Sequence, residues 1–256
     1  MNNYSSRKER RIQLLSMLLI VLISSPLLAG FNSPVVKDRP FYEKTGQIVW
    51  DVHTEEKKIA FTFDDGPDPK ATKEILDLLK KYNAKATFFV LGSKVEQNAE
   101  LIKRELAEGH EVANHTYSHI YFDKSVNTEK MREEIVKTQQ ALEEVIGFQP
   151  KLFRPPGGYY NERSVNLAKH LGYTTILWSW HQDTNDWRRP GVDKIVNKVL
   201  KNVRNGDIIL MHDYNPGTDQ TVKAFSILLP ALIDRGFQFV TVSELIQSTK
   251  SIPINK

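Results

Sequence analysis

The chain has 256 residues, no cysteine and a formal net charge of +4. Residues 1–30 contain four basic side chains and one acidic side chain, so the rest of the chain is nearly neutral. This balance gives no basis for nucleic-acid binding, and we expect no nucleic-acid partner. The lack of cysteine excludes disulfides, thiolate metal sites and a lipid-modified cysteine, so the fold depends on its own core.

The first 30 residues have the pattern of an export segment. Basic residues between Arg7 and Arg11 precede an apolar stretch from Ile12 to Gly30, as in a signal peptide. Residues 27–30 offer a small-residue cleavage site, but the apolar stretch is also long enough to span a bilayer uncleaved. We therefore predict an exported protein that is either released, to the extracellular medium or the cell wall, or anchored to the outer face of the cytoplasmic membrane.

The remaining chain divides into a linker, one domain and a tail. Residues 31–55 are polar and lack a strong period, so we expect a linker and an irregular edge. Residues 56–247 have a plausible size for a single domain, and residues 248–256 are the tail. Within the domain, an opening apolar strand ends at Asp64, and six later apolar strands each follow a residue that can close a helix. These residues are Asn83, Gly109, Gly147, Gly172, Gly206 and Gly236.

The segments between these strands have helical periodicity. Ala71, Ile75 and Leu79 fit one face of the first, and Met131 and Ile135 begin such a face in another. Alternating strands and helices indicate parallel strands joined by right-handed crossovers. We therefore predict an α/β fold, a distorted (β/α) barrel with about seven parallel strands.

Polar clusters follow five of the predicted strands. Because the carboxyl ends of parallel strands face one side of the fold, we expect these clusters to converge on one site. They lie at residues 64–65, 114–119, 154–158, 181–187 and 212–213.

Two of the clusters predict a metal site. Asp64 and Asp65 are adjacent carboxylates at a strand end, where their repulsion requires a proton or a cation. His115 and His119 are four residues apart, which places both imidazoles on one face if the segment forms a helical turn. One carboxylate and two histidines form a common facial ligand set. Since adjacent residues in extended chain point to opposite sides, the second aspartate would be free to act as a general base.

The other clusters predict proton transfer and substrate contact. Arg154 would keep the base ionised, and the Pro-Pro-Gly-Gly loop after it would bring a backbone N–H close to an oxyanion. His212 would be a general acid if a carboxylate, Asp183, Asp186 or Asp213, held its proton. The structural alternative is a core histidine. Trp187 would line a sugar groove or simply be packed.

Five motifs in order resemble those of the polysaccharide deacetylases, the NodB-like proteins of carbohydrate esterase family four. The resemblance covers residues 57–247 and implies metal-dependent removal of N-acetyl groups from N-acetylglucosamine polymers. It departs from the family at Gly157, where tyrosine is common. The motifs are TFDDGP at 62–67, HTYSH at 115–119, RPPG at 154–157, DTNDW at 183–187 and LMH at 210–212.

The resemblance also implies individual roles and partners. It implies one divalent metal, for which we expect Zn²⁺, with Co²⁺ or Ni²⁺ as alternatives. We expect a monomer acting on peptidoglycan; the alternatives are a chitooligosaccharide, another surface polysaccharide, or a silent wall-binding module of this fold. The implied roles are Asp64 as base, His212 as acid, Arg154 orienting the base, Asp186 tuning the acid, Gly157 binding the oxyanion, Asp65, His115 and His119 as metal ligands, and Trp187 and Leu210 in the substrate groove.

Overall fold

A computed structural model describes residues 37–214 and 218–248 of the chain. The predicted export segment, residues 1–30, and all but the first residue of the predicted tail lie outside these ranges. Within them, no helix is both long enough and apolar enough to cross a membrane.

Eight strands and nine helices lie in the described part of the chain. The strands are β1 (Ile48–Val49), β2 (Lys58–Asp64), β3 (Ala86–Val90), β4 (Glu111–Asn114), β5 (Leu152–Phe153), β6 (Thr174–Ile176), β7 (Ile208–His212) and β8 (Gln238–Phe239). The helices are α1 (Arg39–Thr45), α2 (Ala71–Lys81), α3 (Gly92–Val95), α4 (Ala99–Ala107), α5 (Thr128–Ile146), α6 (Glu162–His170), α7 (Val192–Asn202), α8 (Thr218–Asp234) and α9 (Val242–Ser248).

The strands form one curled parallel sheet. Its order is β1-β6-β5-β4-β3-β2-β7, with β8 paired to β2, and every ladder is parallel. At the open side, the N–H of Ser179 donates to the carbonyl of Ile208 at 3.0 Å, and the N–H of Val52 donates to the carbonyl of Gly206 at 2.9 Å. The chain after β6 therefore contacts β7 across the gap, and the chain after β1 contacts the turn that precedes β7. The predicted distorted (β/α) barrel is confirmed, and β2 to β8 are its seven predicted strands.

The region predicted as a linker, residues 31–55, contains a helix and a strand that the sequence prediction did not include. Asp38 caps α1, since its side chain accepts a hydrogen bond from the N–H of Phe41 at 3.2 Å. Tyr42, Ile48 and Trp50 are buried, and β1 extends the sheet beside β6. An aspartate cap followed within two residues by proline is a helix-start signal that the sequence contained.

Strand β2 is central because it lies between β3 and β7 and carries two fully buried phenylalanines. Phe61 and Phe63 are fully buried and contact Phe225 of α8 with ring centroids 5.1 Å apart in both cases. Burying such side chains contributes about 1.5–3 kcal/mol each. The register opposes Asp64 to His212 at the end of β7. The core therefore fixes where the strand-end polar residues lie.

Candidate active site

The predicted polar clusters meet at one pocket at the carboxyl ends of the strands. Strands β2 and β7 place Asp64 beside His212, and β4 pairs with β5 at Asn114 and Phe153, so His115 and Arg154 follow at neighbouring positions. The pocket is lined by Asp64, Asp65, His115, His119, Tyr121, Gly157, Trp178, Asp183, Trp187, Leu210 and His212.

Asp65, His115 and His119 form a candidate metal site. Their ligand atoms all lie within 4.8 Å of one another. Asp65 Oδ1 is 3.4 Å from Nε2 of His115 and 3.1 Å from Nε2 of His119. Burial opposes ionisation of Asp65, but the two imidazoles outweigh it and hold the pKa of this carboxyl well below its ordinary value.

Two details of the site support a cation there. Nδ1 of His115 lies 2.8 Å from the carbonyl oxygen of Arg154. Donation by Nδ1–H leaves the Nε2 lone pair free to bind a metal. Asp65 Oδ1 is buried and has no hydrogen-bond partner among the described residues. Two imidazoles and a buried carboxylate oxygen without a hydrogen-bond partner are a donor set that suits a divalent transition metal.

Two geometric expectations for these residues are wrong. Asp65 is not extended: its φ is 76°, and both aspartate side chains line the same pocket. The segment from His115 to His119 is not a helical turn either, because Thr116 and His119 have φ of 69° and 61°. The left-handed residues turn the loop so that the two imidazoles approach without a helix.

Glu134 of α5 fixes this histidine-bearing loop, and the sequence analysis missed it. Its buried carboxylate accepts hydrogen bonds from the N–H of Tyr117 at 3.1 Å, and from the N–H and hydroxyl of Ser118, both at 2.8 Å. These three bonds hold the loop between the two histidines. No local pattern in the sequence distinguishes Glu134 from the other glutamates of α5.

Asp64 is paired with a fully buried arginine. Nη1 of Arg154 donates to Oδ1 of Asp64 at 2.6 Å and to Oγ1 of Thr62 at 2.8 Å. The remaining nitrogens donate to the carbonyls of Ile176 and Leu177 at 3.3 and 2.8 Å. Burial lowers the pKa of Arg154 and the charge of Asp64 opposes that effect. These hydrogen bonds fix the position of the guanidinium, which in turn fixes one oxygen of the Asp64 carboxylate.

His212 is paired with Asp186, one of its three candidate carboxylates. Its Nδ1 is 2.7 Å from Oδ1 of Asp186, while its backbone N–H and the hydroxyl of Thr221 bind Oδ2 at 2.9 and 2.7 Å. Burial lowers the pKa of His212, but the charges of Asp186, Asp64 and Asp65 outweigh it and raise the pKa to about 9. The imidazole lines the pocket, which disfavours the core-histidine alternative.

The two other candidate carboxylates make different contacts. Asp183 accepts from the N–H of Asn185 at 2.9 Å, and the hydroxyl of Thr72 donates to Asp213. Burial, opposed by the Thr72 bond, raises the pKa of Asp213 to about 7. Neither therefore substitutes for the aspartate that holds His212.

The predicted groove residues flank the pocket. Trp187 is 46% exposed and is not simply packed, whereas Leu210 is buried. Gly157 also lines the pocket and lies within a turn of 3₁₀ helix, Pro156–Gly158. Tyr121 and Trp178 also line the pocket, although the sequence analysis named neither, because they lie outside the five motifs.

Comparisons with known proteins agree with this geometry. A family profile described as "Polysaccharide deacetylase" matches residues 51–176. The chain is 50% identical over 205 residues to a peptidoglycan-N-acetylglucosamine deacetylase of Bacillus cereus, covering 80% of this chain and 95% of that protein. It is 39% identical over 201 residues to a chitooligosaccharide deacetylase of Bradyrhizobium, covering 74% and 90%.

The fold also matches a solved structure. A crystal structure of a peptidoglycan N-acetylglucosamine deacetylase in complex with a 4-naphthalen-1-yl-N-oxidanyl-benzamide superposes with a TM-score of 0.76 at 36% identity. The match covers 82% of this chain and 98% of that one.

Proposed function

This chain belongs to the polysaccharide deacetylase family, and we propose that it removes N-acetyl groups from N-acetylglucosamine residues of peptidoglycan. The proposed chemistry rests on one observation. Asp64, which is bound to Arg154, and His212, which is bound to Asp186, line the same pocket as the candidate metal ligands Asp65, His115 and His119. A base, an acid and a metal site at one pocket can together catalyse hydrolysis of an unactivated amide.

Asp65, His115 and His119 would hold one divalent cation, for which we propose Zn²⁺. When bound, the cation would act as a Lewis acid toward the acetyl oxygen and lower the pKa of a water molecule. The identity of the metal rests on the donor set of two imidazoles and one carboxylate.

Asp64 is the proposed general base. It accepts the proton of the water molecule whose oxygen attacks the acetyl carbonyl carbon. Arg154 binds Oδ1 of Asp64, which orients the carboxylate and leaves Oδ2 to receive the proton. Gly157 lines the pocket, and we propose that its backbone N–H donates to the oxygen that becomes negative.

His212 is the proposed general acid. It donates a proton to the nitrogen of the sugar as the carbon–nitrogen bond breaks, so that acetate and a free amine leave. Asp186 and the site carboxylates keep the pKa of His212 near 9, and a proton is therefore present at neutral pH. Trp187 and Leu210 would contact the sugar from the facing wall.

A silent wall-binding module is the alternative from another functional class. Such a module needs no buried arginine to orient one carboxylate and no buried aspartate to hold a protonated imidazole. Both pairs are formed here at hydrogen-bond distances of 2.6 and 2.7 Å. These pairs favour a catalyst over a binder.

The place of action remains part of the proposal. We propose that residues 1–30 direct export and that the domain acts as a monomer on the cell wall, with any membrane contact confined to this N-terminal segment. The support is the basic and then apolar pattern of the sequence.

Acetate release tests the function directly. The purified zinc-loaded domain is incubated side by side with peptidoglycan, chitooligosaccharides and acetylxylan, and acetate is quantified. We expect the highest kcat/KM on peptidoglycan. Preference for chitooligosaccharides would favour the alternative substrate, and no acetate from any substrate by a metal-loaded, folded protein would support the silent module.

A further inference from the structure

Residues 91–94, which follow β3 and begin α3, contact both of the loops that carry the candidate metal ligands. We call this segment the β3 turn. It lies outside the five sequence motifs, and none of its residues lines the pocket. Four hydrogen bonds nevertheless join it to the two loops, two bonds to each.

The first two bonds hold the loop that carries Asp65. Nζ of Lys94 donates to the carbonyl of Asp65 at 2.8 Å, and the N–H of Leu91 donates to the carbonyl of Gly66 at 3.0 Å. Asp65 has a φ of 76°, a left-handed conformation that is unfavourable for a residue other than glycine. The two bonds therefore fix consecutive peptide groups at the point where the backbone needs support.

The other two bonds hold the loop that carries the histidines. The N–H of Gly92 donates to the carbonyl of Thr116 at 3.0 Å, and the N–H of Ser93 donates to the carbonyl of Tyr117 at 3.1 Å. Thr116 and Tyr117 lie between the two histidines in sequence, and Thr116 has a left-handed φ of 69°. The β3 turn thus binds two consecutive carbonyls in each ligand-bearing loop.

Packing fixes the β3 turn itself. A Cβ on Gly92 would lie 2.5 Å from Oγ1 and 2.8 Å from Cα of Thr138 in α5, and 2.7 Å from Cδ2 of Tyr117. The backbone of the turn therefore packs directly against α5. The side chain of Lys94 is half-buried, and its ammonium group lies over the ring of Tyr214, a contact that attracts the cation to the ring face.

We propose that Lys94 is a positioning residue for the candidate metal site, and that the β3 turn sets the spacing between Asp65 and the two histidines. Lys94 acts through the backbone of Asp65. Because Oδ1 of Asp65 has no hydrogen-bond partner in the described part of the chain, the orientation of its carboxylate depends on the backbone that carries it. Ligands that are already held at the right spacing bind a cation more tightly.

This inference rests on the proposed function, and zinc affinity tests it. Lys94→Met removes the donor and keeps most of the apolar length of the side chain. Lys57→Met is the matched control: Nζ of Lys57 also donates to a backbone carbonyl, that of Arg235 at 2.9 Å, but Lys57 directly precedes β2 whereas Asp65 directly follows it. Equilibrium dialysis with Zn²⁺ should show a loss of affinity of about 10–100-fold for Lys94→Met, and wild-type affinity for Lys57→Met.

Two further measurements separate positioning from a general effect on folding. Urea denaturation of the zinc-free proteins reports stability, and the visible absorption of the cobalt-loaded proteins at saturating Co²⁺ reports the arrangement of the ligands. We expect the urea midpoints of Lys94→Met and Lys57→Met to be similar, and the cobalt spectrum of Lys94→Met alone to differ from that of the wild type.

Wild-type zinc affinity and a wild-type cobalt spectrum in Lys94→Met would overturn the proposal. A lowered urea midpoint beside these two results would show that Lys94 has a structural role only. A folded wild-type protein that binds neither metal would instead refute the candidate metal site, and the proposed mechanism would fail with it.

Discussion

The proton-transfer groups and the candidate metal ligands are held in different ways. Asp64 and His212 are the last residues of paired strands, and each is hydrogen-bonded to a buried partner of opposite charge. The candidate ligands lie on loops, two of them with left-handed backbone, and their ligand atoms face one another. Asp64 and His212 therefore each have a charged partner within the chain. Asp65, by contrast, has a buried carboxylate oxygen without a hydrogen-bond partner in the described part of the chain, and a cation would bind it.

The largest effect should come from His212→Ala. We expect a loss of about 10²–10⁴-fold in kcat on N-acetylglucosamine oligomers, because expelling an amine requires a proton. Activity on an activated aryl acetate, whose leaving group needs no proton, should fall much less. Equal losses on both substrates with a lowered melting temperature would indicate a structural histidine.

Arg154→Met tests whether the strand-end side is an electrostatically coupled pair. Removing the cation leaves Asp64 buried and unpaired, which should cost about 3–5 kcal/mol in the free energy of unfolding. Urea denaturation measures this change. The matched control is Arg104→Met, whose ion pairs are with Asp77 and Glu108 near the surface and should contribute at most about 1 kcal/mol. A loss for Arg154→Met no larger than that of the control would contradict the coupling.

Glu134→Ala tests the loop side. Without the three hydrogen bonds to Tyr117 and Ser118, zinc affinity should fall by about 10–100-fold, as for other residues that orient ligands. Equilibrium dialysis with Zn²⁺ measures the affinity. Glu133→Ala is the control, because among the described residues its carboxylate forms ion pairs with Lys130 and Lys137 on the surface. Equal affinities in the two variants would show that Glu134 does not position the ligands.

The smallest effect is a pH shift in Asp186→Asn. Burial lowers the pKa of His212, and Asp186 is the first of the charges that raise it to about 9. Without this carboxylate the imidazolium loses its proton at lower pH, so the basic limb of kcat/KM should move to lower pH. Thr221→Val is a milder variant, since it removes one bond to Asp186 but keeps the charge. An unmoved limb in Asp186→Asn would mean that another group is the acid.

The sequence predicted the parts of the site that depend on strand ends. Asp64 and His212 end apolar strands and Arg154 follows one, and the parallel order brings such strand-end residues to one side of the fold. The sequence could not predict the geometry of the loops. The left-handed backbone at Asp65 and the hydrogen bonds from the histidine-bearing loop to Glu134 depend on tertiary contacts, which leave no periodic pattern in the local sequence.

The contrast between the two adjacent aspartates is measured by zinc content and acetate release in Asp64→Asn and Asp65→Asn. We expect Asp64→Asn to bind one zinc with wild-type affinity yet to lose about 10²–10⁴-fold in turnover, the value of a general base. Asp65→Asn should lose zinc and activity together. A zinc-free Asp64→Asn beside a zinc-loaded Asp65→Asn would contradict these roles, because Asp65 would then be the base and Asp64 the ligand.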